Sequence, residues 1–352
     1  MVKKDNPILH EQLEEVPLDI QGFERPRDLL EAIDEDLTSL LDLVQRPVVT
    51  ASQFSRNQLL QLSRLAARYE TQPQTITRPL TGKILISAFY EPSTRTRLSF
   101  ESAWHRLGGD IMSITDPAST GIAKGESLFD VGEMLNHYGD VVVLRDSNDE
   151  AIYEMLKSLR IPIINAGNGM DEHPTQAMAD VYTLLKWRPQ LCLEDIKETD
   201  RIHMGIIGVP GKMRTVRSLL SFLSLFAKSV KEVVIITDED EPFSAGQREE
   251  LTSAGLNIRQ ASDLNKELPT LDVVYINAIA WTGEDYKKLG HQYKLDKSSP
   301  LKEDAIILHP LARGNELARE LDETKHNWYF AQARGAVFVR MALLSSILKT
   351  FI

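Results

Sequence analysis

The sequence predicts an α/β protein built from two doubly wound parallel-sheet domains that are joined by interdomain helices. Three observations support this prediction: strand and helix patterns alternate along the chain, the strand candidates are almost continuously apolar, and the alternation is interrupted near residues 188–199. Unbroken apolar runs are typical of parallel strands that are covered on both faces. A length of 352 residues also suits two domains.

The first domain is predicted at residues 46–187. The acidic, proline-bearing segment before it, 1–45, is expected to be an N-terminal extension outside the main fold, with one helix near 29–43. Ser55 and Gln58 form an S-x-x-Q capping box that predicts a helix start. Further along this domain, strands are predicted at 83–90, 140–145 and 162–165, and helices at 98–107, 150–159 and 175–187.

The second domain is predicted at residues 188–335. Four apolar segments separated by helical stretches predict its strands, at 202–208, 232–237, 273–277 and 305–309. The end of the chain, 336–352, is apolar on nearly all sides, so we expect a buried C-terminal helix that packs back on the first domain.

Composition excludes several classes of protein. The chain has 40 Lys and Arg against 51 Asp and Glu, a formal charge of −11, which argues against sequence-independent binding of nucleic acid. A single cysteine, Cys192, makes an intramolecular disulfide impossible and suits a reducing cytoplasm. No apolar run is long enough to span a membrane and no signal-peptide pattern is present, so we expect a cytoplasmic protein without a membrane partner.

The strongest chemical motif is Glu-Pro-Ser-Thr-Arg-Thr-Arg at residues 91–97, between a predicted strand and a predicted helix. Backbone N–H groups at a helix N-terminus favour an anion, and hydroxyl and guanidinium groups add donors suited to phosphate. The alternative interpretation is a Ser93 N-cap followed by solvated arginines. Spacing within this motif does not decide between the two.

Two further segments favour the phosphate site. Arg145 ends the next strand, and the sequence His-Pro-Thr-Gln at 173–176 opens another helix. Both segments lie at the carboxyl ends of predicted strands, where open α/β sheets bind ligands. A ligand site at that edge of the first sheet is therefore expected.

Together with Lys124-Gly125-Glu126 and His309-Pro310-Leu311, these motifs resemble the aspartate/ornithine carbamoyltransferase family, and more closely its aspartate branch. The resemblance spans about residues 46–352. It implies an enzyme that transfers the carbamoyl group of carbamoyl phosphate to an amino acid, with no metal or cofactor. It also implies a homotrimer with active sites between subunits, and a place in pyrimidine biosynthesis.

The resemblance assigns roles residue by residue. The expected phosphate ligands are Ser93, Thr94, Arg95 and Thr96. Thr96, Arg145 and His173 are expected at the carbamoyl carbonyl oxygen, where they would stabilise growing negative charge. Gln176 and the backbone carbonyl of Leu311 are expected to accept from the carbamoyl NH₂ group. Lys124 is expected to reach the active site of the neighbouring subunit.

The acceptor site departs from the family pattern. Arg214 matches the arginine that grips the acceptor's α-carboxylate, but Ala278 and Ala280 replace the Arg and Gln that bind the aspartate side chain. Trp281 stands in a loop whose sequence fits neither the aspartate branch nor the ornithine branch of the family. Ala312 follows Leu311 where the family has a proline that is usually cis. A cis bond before alanine costs about 2.5 to 4 kcal/mol, so the sequence leaves open whether this bond is cis.

Two hypotheses for the acceptor stay open. An apolar pair cannot compensate a buried carboxylate, so the acceptor is either an amino acid other than aspartate or bound by other groups. The first hypothesis is a diamino acid whose second ammonium meets Glu284 or Asp285. In the second hypothesis aspartate is retained and its side chain meets a substitute cation, for which the candidates are Arg313, Arg340 and Lys287.

Two other classes of function compete with a carbamoyltransferase. Gly208 to Gly211 followed by Asp238 partly imitates a dinucleotide fingerprint, but no G-x-G-x-x-G is present and Lys212 occupies the turn. An inactive scaffold that serves as a structural or regulatory partner is the other alternative. The complete set of expected carbamoyl phosphate ligands argues against it.

Overall fold

The computed structural model describes residues 25–277 and 293–351, and its strands form two wholly parallel sheets. The first sheet has the order β2-β1-β3-β4 and consists of β1 (Ile84–Phe89), β2 (Asp110–Ile114), β3 (Val141–Asp146) and β4 (Ile163–Asn168). Phe89 pairs with Arg145 across the two central strands. Their carboxyl ends therefore lie side by side, and the loops that follow them share one edge.

The second sheet has the order β7-β6-β5-β8-β9. It consists of β5 (Ile202–Ile207), β6 (Val230–Ile236), β7 (Ile258–Ala261), β8 (Val273–Ile276) and β9 (Ile306–Leu308). Every residue of β8 and β9 is buried, as their continuous apolar sequences predict. The predicted fold class, α/β with two parallel sheets, is thereby confirmed.

Helices cover the faces of both sheets. Their bounds are α1 (Pro26–Ala32), α2 (Arg56–Thr71), α3 (Thr94–Arg106), α4 (Leu128–Leu135), α5 (Ala151–Leu156), α6 (Pro174–Trp187), α7 (Arg214–Leu225), α8 (Gln247–Ser253), α9 (Leu264–Glu267) and α10 (Tyr329–Ile347). The capping box at α2 is confirmed: Gln58 N donates to Ser55 Oγ at 3.2 Å and Ser55 N to Gln58 Oε1 at 2.9 Å. Over the described ranges, none of the helices has the length and apolar character needed to cross a bilayer.

The C-terminal helix α10 begins seven residues before the predicted start at 336. It packs against α2, α3 and α6, which all lie within residues 46–187, where the first domain was predicted. Because neighbours surround it, apolar residues occur on all its sides and no amphipathic stripe is visible in the sequence.

The expectation that residues 1–45 lie outside the main fold is wrong for the described part, 25–45. This part forms α1 and a 3₁₀ helix, Leu37–Leu43, instead of one continuous helix. Leu29 and Leu40 are fully buried in the main core. The backbone N–H of Gln45 also donates to Ile347 O at 2.9 Å, which ties the segment to α10.

Sequence patterns missed the strands β2 and β7. Both lie at sheet edges, and β2 is largely exposed. An edge strand needs no continuous apolar run, so apolar patterning does not reveal it.

Candidate active site

A cavity of about 1540 Å³ lies at the carboxyl ends of strands from both sheets. Segments that follow β1, β3 and β4 line it from the first sheet, and segments that follow β5, β6, β8 and β9 line it from the second. The predicted site residues among its lining are Ser93, Thr94, Arg95, Thr96, Arg145, His173, Gln176, Arg214 and Leu311. Residues that are far apart in sequence thus share one cavity, including Arg95 and His173.

The N-terminus of α3 faces this cavity. Ser93 occupies the N-cap position, but its side chain makes no capping hydrogen bond, and no acidic residue lies in the first turn. The hydroxyl and the helix N–H groups therefore remain available to an anion. Burial lowers the pKa of Arg95, whose guanidinium remains charged at neutral pH.

Arg145 is buried at the carboxyl end of β3. Its Nη1 donates to Ala166 O at 3.2 Å and its Nη2 to Glu91 Oε1 at 2.6 Å, whereas Nε has no partner among the described residues. Burial, and then the nearby charge of Arg214, lower the pKa of Arg145 to about 10. The guanidinium is therefore positive at neutral pH and is fixed in direction by two acceptors.

His173 precedes α6 and is 3 % exposed. Its backbone N–H donates to Ser218 Oγ at 2.9 Å, and its Nδ1 is buried without a partner in the described ranges. Burial, together with the positive charges of Arg145 and Arg214, holds the pKa of His173 well below its ordinary value. The ring is therefore neutral at pH 7 and can donate a single N–H.

Gly167 allows Arg145 and His173 to approach each other. Its φ is +110°, and a Cβ at this position would lie 2.6 Å from Arg145 Nη1 and 3.3 Å from His173 Cδ2. Any larger residue here would therefore collide with the guanidinium. The absence of a side chain at Gly167 therefore leaves room for Arg145 and the ring of His173 around this position.

Glu91 joins the two arginines of the site. Its carboxylate accepts from Arg214 Nη1 at 3.0 Å and Nη2 at 2.9 Å, and from Arg145 Nη2 at 2.6 Å. Burial raises the pKa of Glu91, but the hydrogen bonds and charges of Arg214 and Arg145 outweigh it and leave the pKa lowered. The carboxylate is therefore ionised and separates two guanidinium groups that would otherwise repel.

Leu311 contributes backbone to the cavity in an unusual conformation. The Leu311–Ala312 peptide bond is cis and Leu311 has a φ of 57°. The cis bond, which the sequence left open, is therefore present here without proline. Leu311 N donates to His309 Nδ1 at 2.7 Å, and His309 Nε2 lies 2.9 Å from Glu316 Oε1.

The structure describes only some of the residues that the sequence predicts to bind the amino-acid acceptor. Arg214 lines the cavity, whereas Ala278, Ala280 and Trp281 lie outside the described residues, as do Glu284, Asp285 and Lys287. Arg313 is not among the lining residues. Asp322 binds both of its Nη atoms, and the rings of Tyr329 and Phe330 lie beside it. The structure therefore does not place Arg313 at the cavity, and its binding of the acceptor stays a prediction.

Arg340 on α10 lines the same cavity. It is 2 % exposed and donates to Ser99 Oγ, while its Nε and Nη2 are buried without a partner in the described ranges. Burial lowers the pKa of Arg340 to about 9, so it still carries a positive charge at neutral pH. Of the three substitutes considered for the missing acceptor arginine, it is the one whose placement at the cavity is described.

Lys124 is exposed and is not among the residues that line the cavity of its own chain. It ends a short 3₁₀ helix, Gly121–Lys124, that is closed by Gly125 with a φ of 89°. The structure of the single chain therefore does not place Lys124 at the cavity.

The arrangement is suited to one kind of chemistry. A helix N-terminus with free hydroxyl and guanidinium donors can hold a phosphate, while Arg145 and the neutral ring of His173 can donate to one oxygen nearby. Such donors stabilise negative charge that grows on a carbonyl oxygen during nucleophilic attack.

Sequence reasoning missed two residues that act at this site, Glu91 and Asp180, whereas Arg340 was among the candidates for the acceptor site. Glu91 begins the phosphate motif, but nothing in the sequence showed that it pairs with Arg214, 123 positions away. Asp180 lies four residues after Gln176 on α6 and binds its side chain. The i, i+4 spacing of these two polar residues was a signal that could have revealed it.

Family comparison divides the chain into two matching parts. Residues 46–186 match the family model described as aspartate/ornithine carbamoyltransferase, carbamoyl-P binding domain. Residues 200–347 match the model described as aspartate/ornithine carbamoyltransferase, Asp/Orn binding domain. The matches cover both sheets.

Individual proteins give the same result. The aspartate carbamoyltransferase catalytic subunit of Methanopyrus kandleri is 36% identical over 311 residues, 86% of this chain and 97% of that protein. The same subunit of Korarchaeum cryptofilum is 36% identical over 315 residues, 88% of this chain and 100% of that protein. The crystal structure of aspartate transcarbamoylase from Trypanosoma cruzi with aspartate and phosphate superposes with a TM-score of 0.79 at 31% identity, covering 89% of this chain and 98% of that chain.

Proposed function

Since the chain belongs to the aspartate/ornithine carbamoyltransferase family and is a carbamoyl-transferring enzyme, we propose that its acceptor is L-aspartate and that the cavity described above is its active site. The observation that carries this proposal is the convergence of Arg145 and His173 around Gly167, in a cavity shared with the N-terminus of α3. The product would be N-carbamoyl-aspartate, which fits pyrimidine biosynthesis.

The N-terminus of α3 holds the phosphate of carbamoyl phosphate in this proposal. The groups assigned to it are Ser93, Thr94, Arg95 and Thr96. The uncapped hydroxyl of Ser93 and the absence of an acidic residue in the first turn support this assignment, because nothing in the helix itself neutralises the end.

Thr96, Arg145 and His173 polarise the carbamoyl carbonyl. The amine nitrogen attacks the carbonyl carbon, and negative charge grows on the carbonyl oxygen as the C–N bond forms. Donors fixed in advance stabilise that charge more strongly than they stabilise the ground state. The C–O bond to phosphate then breaks, and the leaving phosphate takes the proton of the amine.

The carbamoyl NH₂ group is held by acceptors. We assign these to Gln176 Oε1 and to the backbone carbonyl of Leu311, both of which belong to residues that line the cavity. An NH₂ group has two N–H donors, so two acceptors satisfy it.

Two arginines bind the acceptor in this proposal. Arg214 meets the α-carboxylate, and its place in the lining of the cavity supports this assignment. Arg340, with buried donors that have no partner in the described ranges, meets the second carboxylate. Relatives named as aspartate carbamoyltransferases support aspartate over a diamino acid.

A homotrimer with shared sites completes the proposal. Lys124 is exposed outside the cavity of its own chain, which supports a role in a neighbouring subunit. The lysine would neutralise charge on the phosphate and the acceptor there.

A steady-state assay with carbamoyl phosphate and a panel of amino acids tests the function. We expect phosphate release and N-carbamoyl-aspartate with aspartate, together with tight binding of the bisubstrate analogue N-phosphonoacetyl-aspartate. Turnover of ornithine or another diamino acid without turnover of aspartate would overturn the acceptor. A chain that binds neither carbamoyl phosphate nor the analogue would instead be an inactive scaffold.

A further inference from the structure

Asp180 is a fully buried acidic residue on α6 that lies one turn after Gln176. Its Oδ1 accepts from Gln176 Nε2 at 2.8 Å and from Gln332 Nε2 at 2.6 Å. Its Oδ2 accepts from the hydroxyl of Tyr275 at 3.0 Å. One carboxylate therefore receives donors from α6, from α10 and from β8 of the second sheet.

The carboxylate determines which end of the Gln176 amide faces the cavity. An ionised carboxylate only accepts hydrogen bonds, so the NH₂ end of Gln176 must point to Asp180. Burial raises the pKa of Asp180 to about 6, which the donors of Gln176, Gln332 and Tyr275 oppose, and the group is still ionised at neutral pH and above. Gln176 therefore presents its oxygen, an acceptor, to a ligand in the cavity.

Asp180 is also connected to Leu311 through hydrogen bonds. Because the Gln332 NH₂ end points to Asp180, its Oε1 is free to accept from His309 N, at 2.8 Å. His309 Nδ1 in turn accepts from Leu311 N at 2.7 Å. The same carboxylate thus orients, directly or through two residues, both groups assigned to the carbamoyl NH₂.

We propose that Asp180 is a positioning residue that makes the site select a carbamoyl group over an acyl group without NH₂. This inference rests on the proposed function, because it assumes that carbamoyl phosphate occupies the cavity. A ligand with a methyl group in place of NH₂ leaves two oriented acceptors without a donor, and such mismatches give strong discrimination. Without Asp180, Gln176 is free to turn its amide, and the site loses the preference.

Two stable analogues measure that preference. Phosphonoacetamide carries the NH₂ group, and phosphonoacetone carries a methyl group in its place. Calorimetric titration of the full-length protein with each gives the ratio of the two dissociation constants. We expect the wild-type chain to bind phosphonoacetamide more tightly.

Asp180→Ala removes the carboxylate that accepts the hydrogen bonds. Asp180→Val removes it too, but its side chain refills much of the volume of the aspartate. We expect phosphonoacetamide binding to weaken about tenfold or more in both variants, with phosphonoacetone binding changed less than about threefold. Asp180→Asn should retain most of the preference, because its Oδ1 can accept from both glutamines while its NH₂ donates to the Tyr275 hydroxyl.

Thr183→Ala is the matched control, since Thr183 is fully buried on the same helix and, among the residues that the structure describes, its hydroxyl bonds Ala179 O alone, at 2.7 Å. We expect this variant to keep the wild-type ratio. The inference is overturned if the Ala and Val variants weaken both analogues equally or change neither. If the wild-type chain binds neither analogue, the proposed function itself fails, which is a distinct result.

Discussion

Glu91 and Arg214 form a two-point ion pair, with Nη1 to Oε2 at 3.0 Å and Nη2 to Oε1 at 2.9 Å. Glu91 follows the first strand of the first sheet, and Arg214 begins α7 beside the second sheet. The pair therefore joins the two sheet domains across the cavity. Paired hydrogen bonds between a guanidinium and a carboxylate restrict direction as well as distance.

Glu91→Gln should reduce catalytic efficiency. The substitution keeps the size of the side chain but removes the charge that separates Arg145 from Arg214, so the two guanidinium groups repel and move. We expect kcat/KM for the acceptor to fall about tenfold or more, since displaced groups lose the oriented contact with substrate.

The matched control for this variant is Glu133→Gln, which removes an exposed pair with Arg160. Exposed pairs contribute little, so its kinetics should equal those of the wild-type chain. Equal kinetics for Glu91→Gln and the control would show that the ion pair has no part in catalysis.

Gly167→Ala should abolish most activity while the protein remains folded. The new Cβ would lie 2.6 Å from Arg145 Nη1, so the guanidinium must move. We expect kcat/KM to fall about 100-fold, the effect typical of a misplaced catalytic group. Circular dichroism and thermal unfolding verify folding.

Gly82→Ala separates the steric effect from backbone strain. Gly82 has a φ of +81°, but apart from Gly82 and its two chain neighbours no atom of the described residues lies within 4 Å of the position that a Cβ would occupy there. This control should lose about 1 kcal/mol of stability and keep its kinetics. Similar kinetic losses in both variants would rule out a specific collision at Arg145.

His173 should make stability depend on pH. Burial holds its pKa well below 6.5, so the unfolded chain binds more protons than the folded chain once the pH falls below 6.5. The free energy of unfolding therefore rises with pH in this range. When the pH is lowered from 7.5 to 5.5, we expect the free energy of unfolding of the wild-type chain to fall by about 1 kcal/mol more than that of the His173→Gln variant.

Denaturant unfolding of both proteins at the two pH values measures this difference. The comparison cancels the contributions of other titrating groups that the two chains share. Parallel pH dependence in the two chains would mean that His173 is not buried in its neutral form.

Lys124→Ala and His173→Ala should each be nearly inactive alone, and a mixture should regain activity. If sites are shared, a hybrid trimer contains sites with His173 from one chain and Lys124 from its neighbour. Random reassociation of equal amounts gives about one quarter of the sites intact, as expected for a closed ring of three. Failure of the dissociated and reassociated mixture to gain activity would contradict shared sites.

Much of the site could be predicted from short motifs. Ser93 to Thr96, Arg145 and His173 follow strands or begin helices, and a parallel sheet brings such positions to one edge. Sequence patterns did not show the partners of these residues. Glu91 binds Arg214 and Arg313 binds Asp322 only because the chain folds.

The sequence by itself determined the α/β class, the alternating order of the elements and the motifs of a carbamoyltransferase, because these depend on local periodicity and on residues close together in the chain. The tertiary structure decided the burial of residues 25–45, the neutral ring of His173 and the orientation of Gln176 by Asp180. These properties depend on neighbours that are distant in sequence, and on the removal of water from charged and polar groups when they pack together.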